Sequence, residues 1–270
     1  MMAIFRGSIR FVLVIILFAV GVLPVVVLSL IPIRYRGARL GPWLTYWISH
    51  IFNRIFNVRF TCTDRDAVTR HHGLIVANHS SYMDVVAMVN AAPIRFLAAK
   101  EIHHQPVIGW FAVAQETVFV DRSNRQSRLE ARHSISAALQ RDPYPPIVVY
   151  PEGRLGPGDR LNPFRFGAFE LAVENEVAIL PCALHYNRPD VVTWHGGTRH
   201  ETMVGAAWRL AKHDGRIEIT MTPLPVLHVT RADDAALLAA ITQRQIEQVL
   251  GFPPAPLALN QVDKARWERI

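Results

Sequence analysis

The chain has 270 residues, half of them apolar and 19% charged, with a formal net charge of +7 and a pI near 9.9. This composition excludes a disordered chain and leaves room for one sizeable core, or a core plus an anchor. The basic balance favours anionic partners such as phosphorylated metabolites and lipid surfaces. Nucleic acid is not expected, because the arginines are interleaved with apolar runs rather than gathered in a block.

Phe11 to Ile33 is a run of 23 uncharged, mostly apolar positions, roughly 34 Å long if helical. Arg6 and Arg10 precede it, and Arg34, Arg36 and Arg39 follow. A cleaved signal peptide does not fit, since the run is long and no small-x-small site follows it. Three readings stay open: a spanning helix, a hairpin dipping into the membrane and broken near Gly21 and Pro24, or a core helix apolar on every face. The basic excess on the C-terminal side places the main domain on the cytoplasmic face of a membrane. Leu40 to Phe56 follows with helical period, carrying Leu44, Trp47, Ile48, Ile51, Phe52 and Ile55 on one face. Trp43 and Trp47 suit a membrane interface, and a helix docked on the domain fits equally well.

From residue 58 short strands alternate with helical patterns. Strands are expected at 58–61, 74–77, 94–98, 117–120, 147–150, 178–183 and 216–222, and helices at 83–90, 106–114, 125–140, 167–174 and 232–250. Thr230 with Asp233 resembles a capping box for the last helix, and Gly251 fits the position after its C-terminus. Helical crossovers between apolar strands imply an α/β fold, with a largely parallel mixed sheet flanked by helices and an N-terminal membrane-anchoring helical segment. The expected organisation is an anchor and amphipathic helix at 1–57, a catalytic domain at 58–251 and a loosely held tail at 252–270.

In open sheets of this kind ligands bind beyond the carboxyl ends of the strands. Three such ends carry charge: Asn78-His79-Ser80-Ser81-Tyr82-Met83-Asp84, Asp121-Arg122 and Glu152-Gly153-Arg154. A histidine in the turn and an aspartate in the first helical turn can meet as a general base and the group that orients it. The same letters, Ser81-x-x-Asp84, also spell a capping box, so Asp84 has a purely structural reading as well. Cys62 and Cys182 read as reduced, buried thiols. No zinc-binding spacing joins the histidines, and Gly156-Pro157-Gly158 reads as a turn, so no metal and no bound cofactor are expected.

The NHSSYMD stretch resembles the histidine-x4-aspartate block of the glycerolipid acyltransferases, the family of 1-acylglycerol-3-phosphate acyltransferases. Ala99-Lys100-Glu101 with Pro106 and Gly109-Trp110 resemble the stretch that follows it. Phe119-Val120-Asp121-Arg122 resembles the second block and Tyr150-Pro151-Glu152-Gly153 the third. Phe164 to Phe169, then Ile179-Leu180-Pro181, resemble the approach to the fourth. Order and spacing agree across residues 74–184. The resemblance implies a membrane-bound enzyme that moves a fatty acyl group from acyl-CoA or acyl carrier protein, as co-substrate, to the hydroxyl of 1-acylglycerol-3-phosphate, giving phosphatidic acid. It implies His79 as general base oriented by Asp84, Arg122 on the acceptor phosphate, and Glu152, Gly153 and Arg154 around the acceptor. One departure stands out: after Glu-Gly the family usually has threonine and then arginine, whereas here Arg154-Leu155-Gly156 follow, with Arg160 and Arg165 as further phosphate-binding candidates. That departure keeps another lysolipid acceptor open, such as a lyso-amino-acid lipid, beside a non-catalytic lipid-binding protein of the same fold.

Overall fold

Short runs of Val, Ile and Leu become strands buried on both faces once helices cover them. The computed structural model describes residues 1–120, 125–194 and 201–258. In chain order these form α1 (Met2–Leu30), β1 (Arg34–Tyr35), β2 (Ala38–Arg39), α2 (Leu40–Ile55), β3 (Val58–Cys62), α3 (Arg65–Thr69), β4 (Gly73–Ala77) and α4 (Met83–Ala91). There follow β5 (Arg95–Ala99), α5 (Lys100–His103), α6 (Ile108–Ala114), β6 (Val118–Val120), α7 (Arg125–Arg141) and β7 (Ile147–Val149). The last are α8 (Gly167–Asn175), β8 (Ala178–Tyr186), α9 (Pro189–Val192), α10 (Met203–Lys212), β9 (Ile217–Pro223) and α11 (Ala235–Leu250). Helices α3, α5, α9 and α10 were not expected from the sequence.

β3 to β9 make one seven-stranded sheet in the order β3-β9-β8-β4-β7-β5-β6. The block from β8 to β6 is parallel throughout. β9 runs antiparallel to β8, and β3 is parallel to β9, so the sheet is mixed and largely parallel. The alternation of strand side chains divides the core in two. Ile75, Val148, Leu180 and Leu184 pack with α4, α2 and α10 on one face. Leu74, Val76, Ile147 and Ile179 pack with α8 and α11 on the other.

The apolar N-terminal run forms a single helix that continues through Pro24, so no break at Gly21–Pro24 turns it back. Gly21 serves close packing instead: a Cβ there would stand 2.8 Å from Ile48 Cδ1. The reversal comes later, in the β1–β2 turn, where Gly37 takes φ +82°. α1 and α2 therefore pair as an antiparallel hairpin laid on the α4 side of the sheet. Phe11 packs edge-on to Trp208, Phe18 lies against Phe52 and Phe111, and Val25 is fully buried. Arg6 donates to Asp214 and to Lys212 O, and Arg10 to Ala211 O and His213 O. Past the helix, Arg34 pairs with Asp142 and Arg39 with Glu116. The outward face of the hairpin stays apolar and open, with Val12, Ile16, Val20, Leu23, Trp47 and Ile51 exposed, and Trp110 and Val113 of α6 extend it. α1 is long and apolar enough to cross a membrane.

At the other end, Thr230 and Asp233 do bond to each other, but Asp234 caps α11 by accepting from Ala236 N and Leu237 N. Gly251 ends the helix at φ +66°. Of the expected tail, residues 259–270 lie outside the described residues, and the segment before them is tied to the helix. Glu247 accepts from Ala255 N at 2.9 Å, and Gln243 donates to Ala255 O and Pro256 O. Two buried polar side chains of α11 thus find their partners in the tail's backbone.

Candidate active site

The site is built where β4 leaves the sheet. Asn78 prolongs the strand with its side chain, donating to Leu184 O at 3.0 Å and accepting from Leu184 N at 2.8 Å. The amide stands in for a backbone pair, so the main chain is free to turn at His79 while remaining tied to β8. His79 Nδ1 then lies 2.8 Å from Asp84 Oδ2. The same carboxylate oxygen accepts from Ser80 N at 2.7 Å and Ser81 N at 2.9 Å, and Oδ1 accepts from the Tyr186 hydroxyl. Asp84 thus makes both kinds of contact at once: it reaches back to cap the turn, and it bonds the imidazole. Ser81 Oγ takes Met83 N at 3.0 Å and donates to Val192 O at 2.6 Å. Arg209 of α10 holds that neighbouring segment through Val191 O and Thr193 O.

Asp84 is fully buried and His79 keeps 21% of its side-chain surface open. Binding to a carboxylate through Nδ1 fixes the tautomer and leaves the Nε2 lone pair as the basic site. Among the described residues Nε2 has no partner. The Tyr150 ring, at the end of β7, stacks on the imidazole at 4.1 Å with planes 14° apart. Its hydroxyl is buried with no hydrogen-bond partner among the described residues.

Glu152 joins the site differently from its expected role around the acceptor. It is 2% exposed, and its two oxygens accept from His79 N at 2.7 Å and Asn162 N at 2.8 Å. Gly156 N donates to His79 O at 2.6 Å, so the third-block loop clasps His79 by both its N–H and its C=O. With both oxygens turned to the backbone, Glu152 is a strut beneath His79. Burial pushes its carboxyl up to about 7, against the pull of those N–H donors and of His79. Gly153 follows in the same turn. It takes φ +68°, a region that favours glycine, and the Arg165 guanidinium lies over it, 3.1 Å from where a Cβ would stand. Arg154 is exposed, with Nη2 3.5 Å from Asn162 Oδ1, and Arg160 pairs with Asp159. Arg122 lies outside the described residues. Among the described residues no group of three or more His, Cys, Asp or Glu side chains is arranged to hold a metal ion.

The sequence reading missed Tyr186 altogether and treated Tyr150 only as part of a block. The available signal was a tyrosine closing an otherwise apolar strand, since a buried phenol needs a polar partner.

Residues 59–185 match the sequence model of the Acyltransferase family. The chain is 28% identical over 264 residues to a lyso-ornithine lipid O-acyltransferase of Brucella abortus, covering 90% of this chain and 95% of that one. It is 33% identical over 113 residues to a 1-acyl-sn-glycerol-3-phosphate acyltransferase of Neisseria gonorrhoeae, covering 42% and 44%. The fold superposes on the 1-acyl-sn-glycerophosphate (LPA) acyltransferase PlsC of Thermotoga maritima with a TM-score of 0.60 at 18% identity, over 90% of this chain and 97% of that one. Fold and these similarities define an enzyme of the acyltransferase class, with a candidate membrane anchor in its N-terminal helix. Residues 59–185 carry the Acyltransferase domain, and the proteins the chain resembles include 1-acyl-sn-glycerol-3-phosphate and lyso-ornithine lipid acyltransferases.

Proposed function

We propose that the enzyme transfers a fatty acyl group from the thioester of CoA or acyl carrier protein to the hydroxyl of a lysolipid. The contact between His79 Nδ1 and Asp84 Oδ2 carries this reading. His79 Nε2 takes the acceptor's hydroxyl proton as the oxygen attacks the thioester carbonyl. The tetrahedral intermediate then expels the thiolate, which recovers that proton from the imidazolium. Asp84 stabilises the imidazolium between the two steps, and the thioester is already activated, so no covalent acyl-enzyme is required. In His79→Ala, turnover should drop at least about 10²-fold while the melting temperature holds. Full activity in that variant removes His79 as the base.

Two acceptors compete. The motif blocks point to 1-acylglycerol-3-phosphate, with Arg122 on its phosphate. The similarity running nearly end to end with a lyso-ornithine lipid acyltransferase, together with Arg154 turned to Asn162, favours a lyso-amino-acid lipid. A panel of both acceptors with one acyl-CoA, read by the mass of the product lipid, should show faster acylation of the lyso-ornithine lipid. The reverse order would restore the phosphate acceptor, and Arg122→Ala should then raise its KM.

For the membrane, we propose that α1 lies along the interface instead of crossing it. Near its start Arg6 and Arg10 hold residues 211–214, and just past its end Arg34 holds Asp142. A crossing helix would carry these two parts of the same domain to opposite sides of about 30 Å of hydrocarbon. Lying flat, the hairpin keeps its ion pairs and sinks its apolar face into one leaflet. The catalytic domain then lies wholly on the side of the membrane where the hairpin is seated.

A further inference from the structure

We propose that Tyr186 is a positioning residue of the base, holding the free oxygen of Asp84 and thereby setting the pH at which His79 becomes active. This rests on His79 acting as the base. The donors around Asp84 are unevenly shared. Oδ2 receives His79 Nδ1, Ser80 N and Ser81 N, all from its own turn, whereas Oδ1 receives only the Tyr186 hydroxyl among the described residues. Tyr186 comes from the last position of β8, 102 residues away, and is itself buried. The strand places it well: Cys182, Leu184 and Tyr186 share one face, and Asn78 fixes the register of Leu184 against the turn.

A fully buried carboxylate oxygen without a donor is costly, and the cost falls on the ionised form. Without the hydroxyl, Asp84 binds protons more tightly and draws the imidazole's proton more strongly. The dyad then stays protonated to a higher pH, and its carboxyl group is free to swing about Oδ2. Of the groups facing it, Tyr150 bears on Asp84 directly, but its hydroxyl makes no hydrogen bond to it. Tyr150 and Tyr82 bear on Tyr186, Cys182 bears on Tyr150, and Glu152 bears on His79. Burial holds the Tyr186, Tyr150 and Cys182 protons in place, well above their ordinary range. Glu152 is bound to the backbone of His79 and Asn162.

The test is the pH profile of kcat/KM for Tyr186→Phe, in the full-length enzyme with acyl-CoA and its best lysolipid acceptor, with His79→Ala run in parallel. The acid limb should move up by about half a pH unit or more, and plateau kcat should fall about 10-fold, the usual scale for one hydrogen bond to a charged group. Acceptor KM should stay within about twofold, because Tyr186 touches Asp84 and not substrate. Replacing Tyr186 with 3-fluorotyrosine, a more acidic phenol and so a stronger donor, should move the acid limb downward. It also keeps the proposal testable if the phenylalanine variant folds poorly. An unmoved limb in both variants overturns the role of Tyr186 while His79→Ala remains inactive. Activity in His79→Ala overturns the base itself, and the role of Tyr186 with it.

Discussion

Glu152→Gln separates a strut from a substrate ligand. The carboxylate receives two backbone N–H groups from different loops, 73 and 10 residues away in sequence. An amide keeps one accepting oxygen and turns its NH2 against the other N–H. One buried donor then has no acceptor, which costs about 1–3 kcal/mol, or several degrees in melting temperature for a protein of this size. The deficit should depend on pH. In the fold Glu152 titrates near 7 instead of 4.5, so between those values the native state binds the proton more tightly than the unfolded chain. Wild-type stability from this group is therefore greatest below about pH 4.5 and falls as pH rises to 7, by about 3 kcal/mol at 1.36 kcal/mol per pH unit. Glutamine does not titrate, so the variant's shortfall should be largest near pH 5 and narrow by pH 8. Thermal melts of the detergent-solubilised enzyme at both pH values measure this. Steady-state kinetics should show kcat lowered, since His79 loses its backbone support, with acceptor KM unchanged. A raised KM with an unaltered melt would refute the strut and return Glu152 to the acceptor.

Gly156→Ala should injure the same clasp from the other side: its Cβ would stand 2.7 Å from Glu152 Oε2 and 3.3 Å from His79 O. Overpacking of this kind costs about 1–3 kcal/mol, so both the melting temperature and kcat should drop, and wild-type values for both would show that the loop gives way freely. The flat seating of α1 is open to labelling in sealed vesicles of both orientations, with Cys62 and Cys182 replaced. Ser8→Cys and Arg36→Cys, one toward each end of α1, should react with a membrane-impermeant thiol reagent in the same vesicle orientation. Reaction in opposite orientations means that the helix crosses.

The sheet was legible because its strands are short apolar runs ended by charge, and all seven expected runs form strands within a few residues of their expected bounds. Helix α10 escaped notice although its apolar face repeats at helical spacing, with Ala206, Leu210 and Ala211 buried. Helix α3 spans only five residues, too few to show a period. In the site, His79 and Asp84 stood out because they are close in sequence and the turn between them is local. The placement of Glu152 did not follow from its letter, since its partners lie in separate loops. The pairing of Tyr186 with Asp84 joins two strand ends that only the folded sheet makes neighbours. The fate of the α1 run also turned on distant residues: hydropathy measured its length, while Asp214 and Asp142 decide where its flanks are fastened.

That fastening bears on lipid traffic. On the proposed flat seating, the enzyme would draw acceptor from a single monolayer and return the acylated product to the same one. The opposite monolayer receives none of it until a lipid-translocating protein carries it over.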